Sequence, residues 1–163
     1  AGIWSKELMR KLGLNIPLEA ERGYHVVYKN ASILPRNPMM MTIGKFGVTP
    51  MGGDLRCAGT VELGGINFGP SKAPIRLLRR RVAEAFPKMT YDETEEWLGF
   101  RPTAPDSLPL IGQLKESGVY TAFGHQHIGM TSGPKTGRLI SDIINNRSPN
   151  IDMSVYDPNR FNL

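Results

Sequence analysis

The 163-residue sequence has one cysteine, Cys57, and only three histidines. One cysteine cannot form an internal disulfide, so other interactions must hold the fold, and this cysteine content fits a reducing compartment. No apolar run approaches the roughly 20 residues of a transmembrane helix. The first residues, AGIWSKELMRK, lack the pattern of a signal peptide. These absences predict a cytoplasmic protein and leave open a position at the inner face of a membrane.

Aromatic residues make up only 8% of the chain, and none interrupts its one basic cluster, RLLRRR at 76–81. Proteins that bind single-stranded nucleic acid use such aromatics as stacking platforms. The apolar residues around the cluster have helical spacing: Ile75, Leu78, Val82, Ala85 and Phe86. We therefore predict a helix whose arginines are solvated and no nucleic-acid partner. The net charge of +5 leaves open an acidic protein or a membrane surface as a partner.

The residues that are present, 40% apolar and 21% charged, are typical of a globular chain of one domain or a little more. A short helix is predicted over 5–12, with an apolar stripe of Leu8, Met9 and Leu12. Strand-like runs follow at 24–28, 38–43, 46–49 and 55–63, and MGGD at 51–54 forms a hairpin turn between the last two. Residues 22–65 are therefore predicted to form an antiparallel meander with one buried face.

Proline and glycine divide the second half of the chain. A strand is predicted at 92–99, and in the next segment, GFRPTAPDSLPLIG at 99–112, three prolines exclude helix and stiffen a loop. A short strand at 119–123 precedes a helix that begins near 132 and ends at Asn145 and Asn146. The tail from 147 to 163 is predicted to be mostly irregular and polar.

The loop between that strand and helix, GHQHIGMTSGPKTG at 124–137, suggests three kinds of site. A metal site would use His125 and His127, with His25 or Asp106 recruited, but the required ligand spacing is missing. A phosphate loop is disfavoured by its spacing and by Pro134, which removes a backbone donor. A backbone cradle at the start of the helix would favour a negative charge or a carbonyl oxygen. The residues alone leave open both this cradle and an ordinary strand-to-helix turn.

Two of these segments read together, GFRPTAPDSLPLIG and GVYTAFGHQHIGMTSGPKTGRLISDII at 118–144, closely resemble the C-terminal region of FAD-dependent amino-acid oxidoreductases. This superfamily includes D-amino-acid dehydrogenases and oxidases, glycine oxidase and sarcosine oxidase. AGIWS, IPLEAERGYH and LRCAGTVELGG resemble the same family in the same order, with the D-amino-acid dehydrogenase branch nearest. The resemblance spans the chain but matches only the C-terminal portion of a family member.

The fold class implied by the resemblance is α+β. An antiparallel substrate-domain sheet with flanking helices is expected over 1–98, and 99–163 is expected to add the flavin-capping strand and helix that complete the flavin and substrate site. The family's N-terminal Rossmann-type FAD domain, with its GxGxxG fingerprint, is absent from these residues. We therefore expect a fragment, or a separately made domain, that is inactive alone and does not retain FAD.

The resemblance also implies site residues. Arg101 is expected to bind the substrate carboxylate, which its planar guanidinium matches with two parallel donors. His127 and Phe46 are weaker substrate-binding candidates, and no catalytic acid or base and no metal ligand is assigned. The candidate FAD-binding residues are Gly2, His125, Ile128, Gly129, Met130 and Thr131. A helix start at 128–131 would stabilise the negative charge that develops at the pyrimidine edge of the reduced flavin.

The function that the resemblance implies for the full-length parent is oxidation of an amino acid, with a D-amino acid favoured, to its imine and keto acid by hydride transfer to FAD. The implied partners are a small amino-acid substrate and the missing FAD domain, with peripheral membrane or quinone contact open. The substrate, the electron acceptor and the oligomeric state also stay open. The alternative is a non-catalytic binding or interaction module, or a subunit, with the same fold.

Overall fold

The first 21 residues and the last third of the chain form one unit, and the residues between them form another. The computed structural model describes residues 1–115 and 117–161. Its contacts divide the chain into a terminal unit, Ala1–Glu21 with Phe100–Leu163, and a central unit, Arg22–Gly99. We expected a domain boundary near residue 98, with the first 21 residues in the same domain as the sheet. They join the terminal unit because their apolar side chains share its core with Leu110, Leu114 and Phe123.

Helices and short strands make up the terminal unit. A 3₁₀ turn, Gly2–Trp4, and α1, Ser5–Lys11, precede β1, Glu19–Tyr28, which continues into the central unit. The other elements are β6, Leu110–Gln113; β7, Tyr120–Phe123; α3, Gly129–Ile144; and 3₁₀ turns at Ser154–Tyr156 and Pro158–Phe161. β6 and β7 pair antiparallel, with Leu110 opposite Phe123. This pairing brings the end of β7 beside the start of β6, which positions the loop that follows β7.

The predicted apolar stripe of α1 is only partly correct. Met9 is buried, but Leu8 and Leu12 are each half exposed. The buried face of α1 instead contains Ser5 and Met9, one turn apart on the helix. Ile3, in the preceding 3₁₀ turn, belongs to the same apolar cluster as Met9.

The central unit holds most of a five-stranded sheet and one helix. Its other elements are β2, Met39–Met41; β3, Phe46–Met51; β4, Asp54–Leu63; α2, Lys72–Ala85; and β5, Thr94–Thr103, which continues into the terminal unit.

The strand order is β2-β3-β4-β1-β5. β2 and β4 both pair antiparallel with β3, as the predicted meander requires. The placement of β1 in that meander was wrong, because β1 lies between β4 and β5. Its inward side chains Tyr24, Val26 and Tyr28 are buried, which suits an inner strand, whereas the three-residue β2 forms the edge.

Helix α2 covers one face of this sheet, and the side of the helix that was predicted to be apolar is confirmed as its buried side. Ile75, Leu78 and Val82 are buried in a cluster with Val48 and Cys57 from the strands. The arginine side is solvated in part only, because Arg79 donates hydrogen bonds to Thr94 Oγ1 at 2.7 Å and Glu96 Oε1 at 2.8 Å. The apolar spacing therefore decides which side of α2 faces the sheet. Among the described residues, no helix has the length and apolarity to cross a bilayer.

Three features of the second half of the chain differ from prediction. The segment 99–112 was predicted as loop, but β5 continues through it to Thr103 and β6, Leu110–Gln113, begins in it. Pro102 is tolerated near the end of β5 because few ladder bonds are lost there. Helix α3 begins at Gly129, three residues before the predicted start, which puts Pro134 beyond its first turn. Proline is favoured in the first helical turn, where a start at 132 would have placed it. Asn146 ends α3 with a left-handed φ of +53°.

Candidate functional site

Most of the candidate site residues lie on the connection between β7 and α3 in the terminal unit. The chain is buried at Gly124, half-buried at His125 and Gln126, and exposed at His127 and Ile128. Beyond these, Gly129 is half-buried and Met130 and Thr131 are exposed. The connection therefore descends from the core of the unit to its surface within a few residues. We call Gly124–Ile128 the entry loop.

Gly124 allows the chain to turn sharply at the end of β7. Its φ is +86°, and a Cβ there would lie 3.1 Å from Leu110 Cδ1 and 3.7 Å from the Cα of Pro109. A left-handed backbone and such close approach both favour glycine. The entry loop therefore rests directly on the segment that precedes β6.

His125 anchors the entry loop to the helix that follows. Its Nε2 lies 2.9 Å from the hydroxyl oxygen of Thr136, which is itself buried. Burial lowers the pKa of His125, so the ring is neutral at pH 7. This contact gives His125 a structural role at the bend, whereas its expected place at the flavin edge stays a prediction. His127 is exposed, and its role also stays a prediction.

The start of α3 has backbone donors available for a ligand. The Ile128 amide donates to the carbonyl of His125 at 3.1 Å, and the Ile128 carbonyl accepts from the amide of Ser132 at 2.9 Å. No side chain caps this end, and its first turn contains no acidic residue. The amides of Gly129, Met130 and Thr131 are the ones that helix geometry leaves without intrahelical acceptors. These donors, at the positive end of a 16-residue helix, fit an electron-rich edge such as that of a flavin.

Gln126 is a further polar residue of the entry loop that the sequence analysis missed. Its φ is +50°, and its backbone N–H donates to the carbonyl of Pro102 at 3.2 Å. Its side-chain Nε2 is buried without a hydrogen-bond partner in the described part of the chain. A buried amide with no acceptor is costly unless a ligand or water satisfies it. No pattern in the sequence signals this, because an isolated glutamine in a loop has no spacing to read.

Arg101 lies near the end of β5 and is partly buried. Within the described residues of the terminal unit, its guanidinium makes neither a hydrogen bond nor an ion pair. The next residue, Pro102, is bonded through its carbonyl to Gln126. The fold therefore joins the strand that carries the candidate carboxylate-binding arginine to the loop that leads into α3.

The remaining two candidates lie elsewhere in the chain. Gly2 begins the first 3₁₀ turn with a φ of +59°, and its contact with FAD stays a prediction. Phe46 belongs to the core of the central unit, where a Cβ on Gly59 would lie 2.5 Å from the Cα of Phe46. Phe46 contributes to the wall of a cleft of about 670 Å³, together with Thr60, Val61 and residues of α2. Its role in substrate binding stays a prediction.

Several of the side chains considered for metal or phosphate binding have other partners. Asp106 is paired with Arg160, with Oδ2 2.7 Å from Nε. His25 stacks on Trp97 and lies 3.2 Å from a guanidinium nitrogen of Arg56. Across residues 1–115 and 117–161, no three His, Cys, Asp or Glu side chains are grouped to hold a metal ion. Lys135 donates to Asn150, away from the start of α3.

Comparison with known proteins places the chain in a family. The family model described as FAD dependent oxidoreductase (DAO) matches residues 1–143. The chain therefore belongs to this FAD-dependent family. Its mixed α/β structure agrees with that of solved members: glycine oxidase from Geobacillus kaustophilus superposes with a TM-score of 0.83 over 98% of this chain at 24% identity.

Curated relatives cover nearly the whole chain. A D-amino-acid oxidase of Bradyrhizobium diazoefficiens is 37% identical across 99% of this chain and 39% of the relative. A glycine oxidase of Pseudomonas aeruginosa is 32% identical across 97% of this chain and 44% of the relative. A D-amino acid dehydrogenase of B. diazoefficiens is 28% identical across 98% and 39%. The chain thus spans well under half the length of these relatives.

Proposed function

We propose that the polypeptide carrying this sequence oxidises a small amino acid, with D-amino acids and glycine as the first candidates. The start of α3 would hold FAD, which would supply the hydride acceptor for oxidation of the amine to an imine, and water would hydrolyse that imine to a keto acid and ammonia. The relatives' names, D-amino-acid oxidase, glycine oxidase and D-amino acid dehydrogenase, support this substrate class. The observation that carries the proposal is the connection of Arg101, through Pro102, to the loop that leads into the uncapped start of α3.

Arg101 would bind the substrate carboxylate. A partly buried guanidinium without a partner in its unit offers two parallel donors to a carboxylate, an arrangement that lysine cannot reproduce. Fixing the carboxylate orients the α-carbon, and such orientation is the main contribution of a protein when the cofactor performs the redox step. No side chain of this chain is assigned as acid or base.

The start of α3 would bind the flavin. The amides of Gly129, Met130 and Thr131 would donate to acceptors at the N1 and O2 side of the pyrimidine edge, where a reduced flavin carries negative charge. The unpaired Nε2 of Gln126 adds a side-chain donor to the same loop. His125 would keep the loop against α3 through Thr136, and Gly2, His127 and Phe46 are further candidate contacts.

Substitution of Arg101 tests this function. We expect Arg101→Ala, in the polypeptide that includes its FAD-binding region, to lower kcat/KM for the best amino-acid substrate by about 100-fold or more, since losing one partner of a buried charge pair costs about 2–5 kcal/mol. Arg101→Lys should recover only part of that loss. A panel of D-amino acids, glycine and N-methyl amino acids identifies the substrate, and flavin absorbance confirms that each variant binds cofactor equally.

Arg138→Ala is the matched control, because Arg138 is 70% exposed and its nearest carboxylate, on Asp142, lies 3.8 Å away. An Arg101→Ala protein with kcat/KM equal to that of the control would exclude the assigned role. Oxidation of amines without a carboxylate as fast as of amino acids would contradict the substrate class. If no substrate is oxidised although FAD is bound, a non-catalytic binding role is favoured instead.

A further inference from the structure

The most extensively bonded side chain of the terminal unit is not in the entry loop but near the end of the chain. Arg160, in the 3₁₀ turn Pro158–Phe161, is 14% exposed. Its Nε donates to Asp106 Oδ2 at 2.7 Å, and its Nη2 donates to Asp106 Oδ1 at 3.2 Å, which makes a two-pronged ion pair. Its guanidinium carbon also lies 4.5 Å from the centre of the Phe161 ring.

The same guanidinium binds the backbone of the segment before β6. Nη2 donates to the Leu108 carbonyl at 2.8 Å, and Nη1 donates to the Pro109 carbonyl at 3.3 Å. Nη1 also bonds the carbonyl of Asp157 in its own turn at 3.0 Å. One arginine therefore holds a side chain and two consecutive carbonyls, and we call this set of contacts the Arg160 clamp.

Asp106 is itself fixed within the segment. Its Oδ1 accepts from the Leu108 amide at 3.0 Å. Burial alone would raise the pKa of Asp106, but the hydrogen bonds from Arg160 and Leu108 and the charge of Arg160 outweigh burial and hold this pKa below its usual value. The pair is therefore ionised on both sides at neutral pH, and charge-assisted bonds of this kind are the stronger ones in proteins.

The clamp lies beneath the bend of the entry loop. Pro109, whose carbonyl Arg160 binds, and Leu110 are the residues against which Gly124 packs. At its other end the same proline-spaced segment accepts the Gln126 amide at Pro102. We infer that Arg160 is a positioning residue: it fixes the segment Pro102–Pro109 as the support of the entry loop, and so sets the geometry of the start of α3.

This inference rests on the proposed function in one respect, which is the assignment of FAD as the ligand of the loop. Hydrogen exchange of the polypeptide that includes its FAD-binding region, measured without FAD, tests the clamp itself, with the backbone amides of Gln126 and Ile128 as reporters because both are hydrogen-bonded. In Arg160→Gln we expect both amides to exchange about tenfold faster, because the charge-assisted bonds that fix the segment are lost. Asp106→Asn retains the contacts of Arg160 with the two carbonyls, and it should change the exchange rates of the two reporter amides by about threefold or less.

Arg147→Gln is the control, because Arg147 also pairs with an aspartate in this unit, 3.0 Å from Asp142 Oδ1, but is 62% exposed. It should leave both reporters unchanged. If Arg160→Gln is unfolded, Arg160→Lys, which keeps the charge but loses the fork, is expected to show the same acceleration. Unchanged exchange at Gln126 and Ile128 in a folded Arg160 variant would overturn the inference, even if residues 106–108 exchange faster.

A second measurement tests whether the clamp affects cofactor binding. In the polypeptide with its FAD-binding region, Arg160→Gln should weaken FAD binding by about tenfold and alter the visible circular dichroism of the flavin, while Arg147→Gln alters neither. Faster exchange together with unaltered FAD affinity and dichroism would show that the clamp exists but does not position the flavin loop, which overturns the positioning role. Loss of the proposed function itself is recognised separately, because the Arg101→Ala result does not depend on the clamp.

Discussion

The central and terminal units each contain an apolar cluster, but most of the candidate site lies on loops and a helix start of the terminal unit. In the central unit, alternating side chains of the strands and one side of α2 form an apolar cluster that contains Tyr24, Phe46 and Leu78. In the terminal unit, an apolar cluster is again present, but the loops that carry the candidate site are fixed by polar contacts from distant residues: His125 to Thr136, Gln126 to Pro102, and Arg160 to the 106–109 segment.

This difference determines how much of each unit can be predicted from the amino-acid sequence. Apolar alternation is local, so a strand or helix signals its buried side within a few residues. A polar contact between residues 54 positions apart, such as that of Arg160 with Asp106, leaves no periodic signal in the sequence. A site built on loops is therefore positioned by contacts that the periodicity of the sequence does not show.

Removing apolar volume from the central unit is the strongest test of this contrast. We expect Leu78→Ala to reduce the free energy of unfolding by about 2–5 kcal/mol, because its side chain is buried against the sheet and leaves a cavity. Leu77→Ala, one residue earlier on α2 and 40% exposed, is the matched control and should cost far less. Urea unfolding followed by circular dichroism measures both, and equal losses would show that this apolar cluster does not stabilise the unit.

A substitution at the bend of the entry loop should have a smaller effect. Gly124→Ala introduces a Cβ at a φ of +86° and 3.1 Å from Leu110 Cδ1, and we expect a loss of about 1–3 kcal/mol. Gly118→Ala shares the positive φ, +72°, but meets nothing within 4 Å, so it isolates the backbone contribution. If thermal unfolding shows equal losses for both variants, the contact with Leu110 contributes nothing and only the backbone conformation matters.

The smallest expected effect is a pH dependence in the central unit. Burial, and then the positive charge of Arg56, lowers the pKa of His25 to about 4. Because an unfolded histidine binds its proton near pH 6.5, the unfolded state binds more protons between these values, and stability falls as the pH decreases from about 6.5 towards 4. The ring is only partly buried, so solvent screening reduces this effect, and we expect a loss of about 1 kcal/mol between pH 7 and pH 5.

His25→Gln should remove this pH dependence, whereas His127→Gln, a change at an exposed histidine of the terminal unit, should retain it. Urea unfolding of each variant at pH 7 and pH 5 measures the difference. Equal pH dependence in the protein and in His25→Gln would assign the effect to other groups.

Several features could be predicted from the residues themselves. The buried side of α2, the hairpin between β3 and β4 and the short strand before the entry loop follow from periodicity and turn chemistry, which act over a few residues. The family followed from GFRPTAPDSLPLIG and the glycine-rich loop, and the comparisons confirm it. Periodicity misplaced β1, because it does not specify which strands become neighbours.

The sequence by itself therefore determined the family, its FAD dependence, most of the helices and strands, and the residue types of the candidate site. Only the tertiary structure decided that Arg101 lies on a strand, that His125 is bonded to Thr136, that the side-chain Nε2 of Gln126 is buried without a partner among the described residues, and that Arg160 binds the segment beneath Gly124. The physical reason is range: periodicity and turn preference arise between neighbours along the chain, whereas these contacts form only after folding brings distant residues together.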